Sequence, residues 1–360
     1  MLGPAGALQA QPSGPVVAGY YVHDDPQAQE TLAAHGQWLS WVITTSFFIG
    51  DGTGALRGRH DADVMRLARQ RGASVHFRIS NLVRGAFDPT VAHAILTDRG
   101  ARGRAVAEAV ATAAAYGYDG VNVDLERVAP ADRGALTAFV RELAAALRPR
   151  GVALTVAVPG KTGDDLSDPS SGAFDLAALA LAADSLVVMA YDEHWDGGPP
   201  GPVASLPWVE AVVRYAISRV QPSKILLGVA FYGYDWPARG PGEGISMREA
   251  VRRSGQARVA ILWDQRASVP FYRVGDRTVY FDNAQSLAHK LSLRSRYRLA
   301  GVAAWRLGHE LPDVWDTIGR EIGALSDGVR LSSARGHGQE RSSQGDQNPT
   351  DPLPGPDEER

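Results

Sequence analysis

The stretch Asp119-Gly120-Val121-Asn122-Val123-Asp124-Leu125-Glu126 decides the fold class, because polar and apolar side chains alternate along it. Successive side chains of a strand point to opposite faces, so Asn122, Asp124 and Glu126 share one face. Buried carboxylates are costly unless they are hydrogen-bonded, and the active sites of parallel barrels lie at the carboxyl ends of their strands. We therefore interpret the stretch as an inward-facing barrel strand that ends in a functional glutamate. The alternative is an edge strand whose polar face is solvated.

Seven further apolar or β-branched runs accompany this strand, and helix-like segments alternate with them. Such alternation is typical of parallel strands joined by crossover helices. The predicted strands are Val16–Val22, Leu39–Ile49, Ser74–Ser80, Gly120–Glu126, Val152–Val158, Ser185–Tyr191, Lys224–Tyr232 and Ala300–Arg306. Eight strands over about 310 residues predict an α/β fold of the (β/α)8 (TIM) barrel class. A doubly wound open sheet is disfavoured, because no glycine-rich phosphate turn follows the first strand.

Helices are predicted between the strands, and several have suitable capping residues. They are Pro26–Trp38, Ala62–Arg71, Pro89–Tyr116, Ala131–Arg148, Leu206–Arg219 and Ser286–Tyr297. Between the seventh and eighth strands, short antiparallel strands are expected at Val259–Asp264, Phe271–Val274 and Arg277–Phe281, around a turn at Gly275-Asp276. This pattern predicts a small α+β insertion, over about residues 237–283, beside the mouth of the barrel.

The barrel is expected to occupy residues 16–325, and segments of different composition precede and follow it. Residues 1–15 are rich in Gly, Ala, Pro and Gln and are predicted to be flexible. They contain neither a positively charged segment nor an apolar core, so no signal peptide is recognised. Residues 326–360 have almost no large apolar side chain and cannot offset their ordering entropy by burial, so a disordered tail is expected.

The composition of the chain excludes several classes of function. Its 360 residues carry a formal net charge of -3 and give a pI of about 6.3, which argues against nucleic acid as a partner. Without cysteine there is neither a thiolate nucleophile nor a Cys-based metal site. No run approaches the roughly 20 apolar residues that cross a bilayer. We expect a monomer with an uncharged or weakly charged ligand, no membrane span, and no metal or other cofactor.

The carboxyl groups of Asp124 and Glu126 are expected to titrate as a pair. The rise per residue of a strand places their Cα atoms about 6–7 Å apart, so one carboxyl stays protonated to a higher pH than the other. A protonated carboxylic acid beside an ionised one is the arrangement that general-acid cleavage of a glycosidic bond requires. We therefore assign Glu126 as the candidate proton donor and Asp124 as its charged partner.

Other candidate residues stand near the carboxyl ends of the predicted strands, although some are expected to be core or rim residues. They are Tyr20, Phe47, Asn81, Tyr232 and Glu310. His194 follows the sixth strand in a loop, but no second histidine lies at the spacing of metal ligands. We interpret His194 as a surface or hydrogen-bonding residue.

The stretch 119–126 resembles the DGxDxDxE signature of glycoside hydrolase family 18, and its place on the fourth strand is that of the family. Three of the four acidic positions match, and Asn122 stands where many chitinases of the family carry Asp. Met189-Ala190-Tyr191-Asp192 is similar to the MxYD motif of the sixth strand. Residues 228–236 and 301–308 resemble the seventh and eighth strands of the spore-cortex-lytic N-acetylglucosaminidase branch.

The resemblance implies a retaining hydrolase in which the 2-acetamido oxygen of the substrate attacks the anomeric carbon. Glu126 would protonate the leaving oxygen and later activate water, while Asp124 would hold the acetamido N–H as the oxazolinium ion forms. Tyr191 would donate a hydrogen bond to the acetamido oxygen, Asp192 would bind sugar hydroxyls, and Trp305 would lie under the sugar ring. The other expected substrate-binding residues are Tyr20, Asn81, Asp119, Asn122 and Tyr232.

The implied substrate is a GlcNAc-containing polysaccharide, and the implied location is extracellular or in the cell envelope. Peptidoglycan and spore cortex are favoured over chitin and exopolysaccharide, because the sequence from the sixth to the seventh strand resembles the cortex-lytic branch. Two alternatives remain on the same fold: a non-catalytic, lectin-like glycan-binding protein, and an accessory domain for an envelope polysaccharide. Because Glu126 is present, hydrolysis is the favoured function.

Overall fold

Eight parallel strands close into a barrel in the computed structural model, which describes residues 14–322. The barrel strands are Val16–Tyr21, Trp41–Ile49, Ser74–Ser80, Gly120–Asp124, Ala153–Pro159, Ser185–Met189, Ile225–Ala230 and Gly301–Trp305. Each strand pairs in parallel with the next, and the eighth pairs with the first, so the sheet is closed. The predicted (β/α)8 barrel is confirmed.

Helices surround the barrel, and aspartates cap the first turns of several of them. The side chains of Asp25, Asp61 and Asp88 each accept hydrogen bonds from two backbone amides of the following helix. The outer helices are Pro26–His35, Ala62–Gln70, Pro89–Thr97, Arg99–Tyr116, Arg133–Leu147, Leu176–Ala182, Leu206–Arg219 and Ala284–Arg296. Residues 313–322 are also helical.

Short elements complete the barrel domain. Leu56–Gly58 pairs antiparallel with the second barrel strand, and Leu82–Val83 forms a small hairpin with Ala86–Phe87. Single 3₁₀ turns lie at Gly36–Trp38, Pro130–Asp132, Arg148–Arg150 and Pro222–Lys224.

Among the predicted boundaries that differ from the structure, two have an identifiable local cause. The helix expected over Pro89–Tyr116 is two helices, because Asp98 adopts extended backbone angles and its side chain caps the second helix. The fourth barrel strand ends at Asp124 and does not include Glu126. The backbone N–H and C=O of Glu126 instead bond to the side chain of Asn81. Glu126 therefore lies in the loop that follows the strand.

The predicted insertion between the seventh and eighth barrel strands is present, and it begins earlier than expected. Its antiparallel sheet contains Tyr232–Trp236, Glu243–Ser246, Leu262–Asp264, Val269–Val274 and Arg277–Phe281. One helix, Met247–Ala257, packs on this sheet. The first strand of the sheet starts two residues after Ala230, the last residue of the seventh barrel strand, so no linker separates the two units.

The alternation of the fourth barrel strand divides the core into two layers, as predicted. Val121, Val123 and Leu125 pack with the surrounding helices in the large outer core. Asn122 and Asp124 lie inside the barrel and are buried. Toward the amino ends of the strands, the interior of the barrel is filled by a separate apolar cluster. Polar side chains occupy the layers toward the carboxyl ends, which form the mouth. The closed barrel therefore supplies a polar floor for a site at its carboxyl end.

The described residues also bear on the expected domain limits and the membrane. No helix within residues 14–322 has both the length and the apolar character that a membrane span needs. The predicted tail, residues 326–360, and most of the predicted flexible segment, residues 1–13, lie outside the described residues.

Candidate active site

A cleft of about 330 Å³ opens at the carboxyl ends of the barrel strands. Its lining includes the three carboxyl groups of Asp124, Glu126 and Asp192. The aromatic part of its wall is formed by Tyr20, Phe87, Tyr191, Tyr232, Tyr234 and Trp305. Carboxyl groups that can exchange protons thus face a space bounded by flat, partly apolar rings.

A larger hollow of about 630 Å³ lies at the opposite end of the barrel, among the first residues of strands such as Trp41, Ser74 and Ser185. The carboxylate in its lining, Asp184, accepts a hydrogen bond of 2.7 Å from the backbone N–H of Leu154. This carboxylate is used in holding the strand ends together. We therefore place the candidate active site in the smaller cleft, where the carboxyl groups converge.

Glu126 is held in the cleft by its backbone, and its carboxyl group is protonated to unusually high pH. Burial raises its pKa to about 8, and the negative charge of Asp124 adds to the shift. The N–H of Glu126 donates to Asn81 Oδ1 at 3.0 Å, and Asn81 Nδ2 donates to the C=O of Glu126 at 2.9 Å. A fixed backbone and a carboxyl that keeps its proton at neutral pH suit a general acid.

Asp124 lies at the floor of the cleft and is paired with an arginine. Its Oδ2 accepts a hydrogen bond of 3.0 Å from Nη1 of Arg78, on the third barrel strand. Both side chains are about 5% exposed. Burial raises the pKa of Asp124, and the positive charge of Arg78 acts in the opposite direction. Because Glu126 takes the proton in this pair, we assign the ionised form to Asp124.

Asp192 is fixed at the rim by two tyrosines of the insertion. Its Oδ1 accepts hydrogen bonds from the hydroxyl groups of Tyr232 at 2.6 Å and Tyr234 at 3.0 Å. Partial desolvation raises the pKa of Asp192, although both hydrogen bonds lower it. The Tyr191 ring packs edge-on against Tyr232, with 6.0 Å between the ring centroids. The insertion therefore orients the carboxylate that follows the sixth barrel strand.

Trp305 and Tyr20 close the cleft on the side of the first and eighth barrel strands. Their rings meet edge to face, with 5.2 Å between centroids. The guanidinium carbon of Arg78 lies 5.5 Å from the centroid of the Trp305 ring. An indole face that is partly open to the cleft offers an apolar surface for a sugar ring.

The structure brings most of the predicted site residues to this cleft, but not all of them. Tyr20, Asp124, Glu126, Tyr191, Asp192, Tyr232 and Trp305 line it. Asn122 lies one layer below, where it accepts from the Tyr20 hydroxyl at 3.3 Å and donates to Thr155 Oγ1 at 2.9 Å. Asn81 is fully buried and reaches the site through the backbone of Glu126.

Asp119 was expected to bind substrate, and its position contradicts that expectation. It precedes the first residue of the fourth barrel strand, at the amino end of the barrel. Its Oδ2 accepts a hydrogen bond of 2.7 Å from the backbone N–H of Val75, at the start of the third strand. The side chain therefore holds neighbouring strand ends together, at the end of the barrel opposite to the cleft.

Phe47 and Glu310 were also considered as lining residues, and both lie elsewhere. Phe47 packs against Phe77 and Tyr118 in the outer core. The fully buried Glu310 carboxylate accepts hydrogen bonds from the Thr31 hydroxyl and from the indole N–H of Trp315. It joins the loop after the eighth strand to two helical segments.

Arg78 is the functional candidate that the sequence reasoning missed. The signal was available, because the third strand alternates in the same way as the fourth: His76, Arg78 and Ser80 share one face. An arginine on the inner face of a barrel strand implies a buried anion partner. Tyr234 was missed as well, because the predicted seventh strand ended at Tyr232, whereas both tyrosines lie on the insertion strand Tyr232–Trp236.

A closed (β/α)8 barrel whose mouth presents a protonated glutamic acid beside a buried aspartate, in an aromatic-walled cleft, is the architecture of a barrel glycosidase. Comparison with known sequences agrees: the model of the family described as "Glycosyl hydrolases family 18" matches residues 16–310. The chain belongs to glycosyl hydrolases family 18, and it is a glycoside hydrolase.

Individual proteins are similar to this chain in sequence or in structure. The cortical fragment-lytic enzyme of Bacillus subtilis is 31% identical over 247 residues, which cover 66% of this chain and 57% of that protein. The spore cortex-lytic enzyme SleL of Bacillus megaterium QM B1551 gives a TM-score of 0.79 at 28% identity, covering 86% of this chain and 75% of the other. The chitinase of Chromobacterium violaceum ATCC 12472 also gives 0.79, at 31% identity and with 85% and 98% covered.

Proposed function

We propose that this enzyme is a retaining hydrolase of β-linked N-acetylglucosamine glycans that uses the acetamido group of the substrate as the nucleophile. The observation that carries the proposal is the pair at the cleft floor. Glu126 has a pKa raised to about 8 by burial and by Asp124, while Asp124 is paired with Arg78. The pair supplies one proton donor and one anion, as this reaction requires.

In the first step, the acetamido oxygen attacks the anomeric carbon as the glycosidic C–O bond breaks. The leaving oxygen takes the proton of Glu126, and Asp124 accepts a hydrogen bond from the acetamido N–H as positive charge develops on the oxazolinium ring. In the second step, the Glu126 carboxylate takes a proton from water, which attacks the anomeric carbon. The ring opens, the acetamide is restored, and the product keeps the configuration of the substrate.

The other residues of the cleft would bind and orient the sugar. We assign to Tyr191 a hydrogen bond to the acetamido oxygen, because it lines the cleft beside both carboxyl groups. Asp192, held by two tyrosines, would accept hydrogen bonds from sugar hydroxyls. Trp305 would stack under the ring, and Tyr20 and Tyr232 would complete the wall.

We further propose peptidoglycan, in particular the spore cortex, as the first substrate to test. The names of a relative and of a structural neighbour describe lytic action on cortex, whereas another neighbour is called a chitinase. These glycans share β-linked N-acetylglucosamine. A polymer of this kind lies outside the cytoplasmic membrane, so an extracellular or envelope location is part of the proposal.

The acid role of Glu126 is tested with the Glu126→Gln variant, which keeps the shape of the side chain but cannot donate a proton. Turnover of an aryl N-acetylglucosaminide and of solubilised cell wall should fall by about 10²–10⁴-fold. The matched control is Glu30→Gln on an exposed helix position, which should leave turnover unchanged. Binding of these glycans without turnover by the wild type would contradict the hydrolase proposal.

The substrate and the nucleophile are tested together. Spore cortex, vegetative wall, chitin and poly-N-acetylglucosamine are offered in parallel, and products are identified by mass spectrometry. The corresponding glucosides, which lack the acetamido group, should not be cleaved. Efficient cleavage of a glucoside, or a first product of inverted configuration by NMR, would exclude catalysis by the acetamido group.

A further inference from the structure

Arg78 is a buried arginine inside the barrel, directly beside the catalytic floor. Its side chain is 5% exposed, and its Nη1 donates to Asp124 Oδ2 at 3.0 Å. The guanidinium group also lies over the Trp305 ring, 5.5 Å from its centroid. Its Nε makes no hydrogen bond with any of the described residues. The arginine is thus positioned by one carboxylate and one indole face.

A buried arginine needs a specific reason, because removing a full charge from water is costly even when the charge is paired. The third and fourth strands are in register, so Arg78 lies opposite Asn122 and Ser80 opposite Asp124. Asn122 occupies the position at which the resembled signature carries a third inward carboxyl. Here that position is neutral, and the neighbouring strand supplies a cation.

The charged and titratable groups around Asp124 come from every part of the cleft. Tyr20 faces it from the first strand, Arg78 from the third, and Glu126 from the loop after the fourth. Tyr191 and Asp192 approach from the end of the sixth strand. His309, after the eighth strand, also lines the cleft, and burial lowers its pKa to about 4, so it is neutral at neutral pH. Each of these groups except Arg78 is therefore neutral or negative, and Arg78 is the balancing charge among these described neighbours.

We propose that Arg78 is a positioning residue that keeps Asp124 ionised and fixes its Oδ2, so that Oδ1 remains for the substrate. Among the described residues, Oδ1 of Asp124 has no hydrogen-bond partner. This role rests on the proposed function, because it concerns the same aspartate.

Loss of the cation has a defined effect on the pH profile. An aspartate beside an arginine titrates about 1–3 pH units lower than it does without the arginine. The acidic limb of the kcat/KM profile, where Asp124 gains a proton, should therefore move up by about one pH unit or more in Arg78→Met. At a pH below the acidic limb of the wild type, kcat/KM of Arg78→Met should be at least about tenfold lower than that of the wild type.

Two further variants serve as controls: Arg78→Lys, which retains the charge, and Arg102→Met, which removes an arginine elsewhere. Lysine retains the charge, so the acidic limb should stay close to that of the wild type even if the rate falls. Arg102 is also largely buried, at 13% exposed, and pairs with Glu142 on the outside of the barrel. Its replacement should leave the profile unchanged. A limb that moves equally in Arg78→Lys and Arg78→Met would overturn the charge role.

A direct titration separates this proposal from the proposed function. The carboxyl carbons of aspartate are labelled with ¹³C, Asp124 is assigned with Asp124→Asn, and its titration is followed by NMR in the wild type and in Arg78→Met. An increase in the Asp124 midpoint of about one pH unit or more supports the proposal, whether or not a substrate has been found. An unchanged midpoint in a folded variant overturns it. Absence of turnover in the wild type would contradict the proposed hydrolase function but would leave the role of Arg78 in the ionisation of Asp124 untouched.

Discussion

At Glu126, burial and a neighbouring negative charge act in the same direction. Both favour the protonated carboxyl, and together they raise its pKa from 4.5 to about 8. The folded protein therefore binds this proton more tightly than the unfolded chain does. Stability derived from Glu126 is fully present below pH 4.5, declines as the pH rises toward 8, and is constant above that range.

The resulting prediction concerns thermal stability. Glu126→Gln removes the titrating carboxyl but keeps the side chain neutral, so the variant should gain Tm relative to the wild type as the pH rises from 5 to 8. Differential scanning calorimetry at several pH values measures the difference. Glu30→Gln serves as the control and should show no such trend. A Tm difference that does not change with pH would mean that Glu126 is not perturbed in the folded state.

Aspartates at the two ends of the barrel show how position sets the role of a side chain. At the amino end, Asp119 and Asp184 accept hydrogen bonds from backbone amides of the neighbouring strands, at 2.7 Å in both cases. At the carboxyl end, Asp124 meets Arg78 and the cleft. The amino-end aspartates satisfy strand amides, whereas Asp124 has an oxygen left for a ligand.

At the scale of the barrel strands, a glycine allows the sixth and seventh strands to approach closely. A Cβ atom on Gly228 would lie 2.6 Å from the C=O oxygen of Val188 and 3.1 Å from the ring of Tyr191. The first of these contacts is with backbone and cannot be relieved by a rotamer change. Gly228 thereby supports the position of the candidate residue at the end of the sixth strand.

We expect Gly228→Ala to lower the free energy of unfolding by about 1–3 kcal/mol and to reduce kcat, because Tyr191 must move. Chemical denaturation and steady-state kinetics measure the two effects. Gly103→Ala is the matched control: this exposed glycine lies in the helix Arg99–Tyr116, and a Cβ atom there meets nothing within 4 Å. The control should stabilise by about 0.5–1 kcal/mol. Unchanged activity in Gly228→Ala would show that the spacing of the strands is not critical.

At the scale of the whole molecule, the insertion and the barrel form a continuous structure around the cleft. Tyr232 belongs to the insertion sheet, yet it packs with Ala230, Tyr191 and Trp305 at the mouth. At the other end of the insertion, Asp282 pairs with Lys290 of the last outer helix, and both side chains are at most 2% exposed. The two units should therefore unfold together.

Lys290→Met tests this connection, since it leaves the Asp282 carboxylate buried without its cation. The free energy of unfolding should fall by about 3–5 kcal/mol. The double variant Asp282→Asn with Lys290→Met removes both charges and should recover much of that loss. Chemical denaturation followed by tryptophan fluorescence and circular dichroism should give one coincident transition in each variant. Two separate transitions would show that the insertion folds independently.

The sequence by itself determined the fold class, the number of barrel strands, the insertion and the acidic strand. These features depend on local patterns: the two-residue alternation, the turn residues and a motif contained within eight positions. The family resemblance of the stretch 119–126 and of Tyr191 and Asp192 is local in the same sense. Such signals can be read before any long-range contact is known.

Only the tertiary structure decided which side chains meet. Arg78 and Asp124 are 46 residues apart, and parallel pairing of two strands in a particular register brings them to 3.0 Å. Asn81 reaches the backbone of Glu126 across 45 residues and thereby ends the strand earlier than its sequence suggested. Asp119 belongs to the motif, but it lies at the amino end of the barrel, whereas the cleft is at the carboxyl end. Strand register and barrel closure are set by the packing of the whole chain, and a local pattern does not contain them.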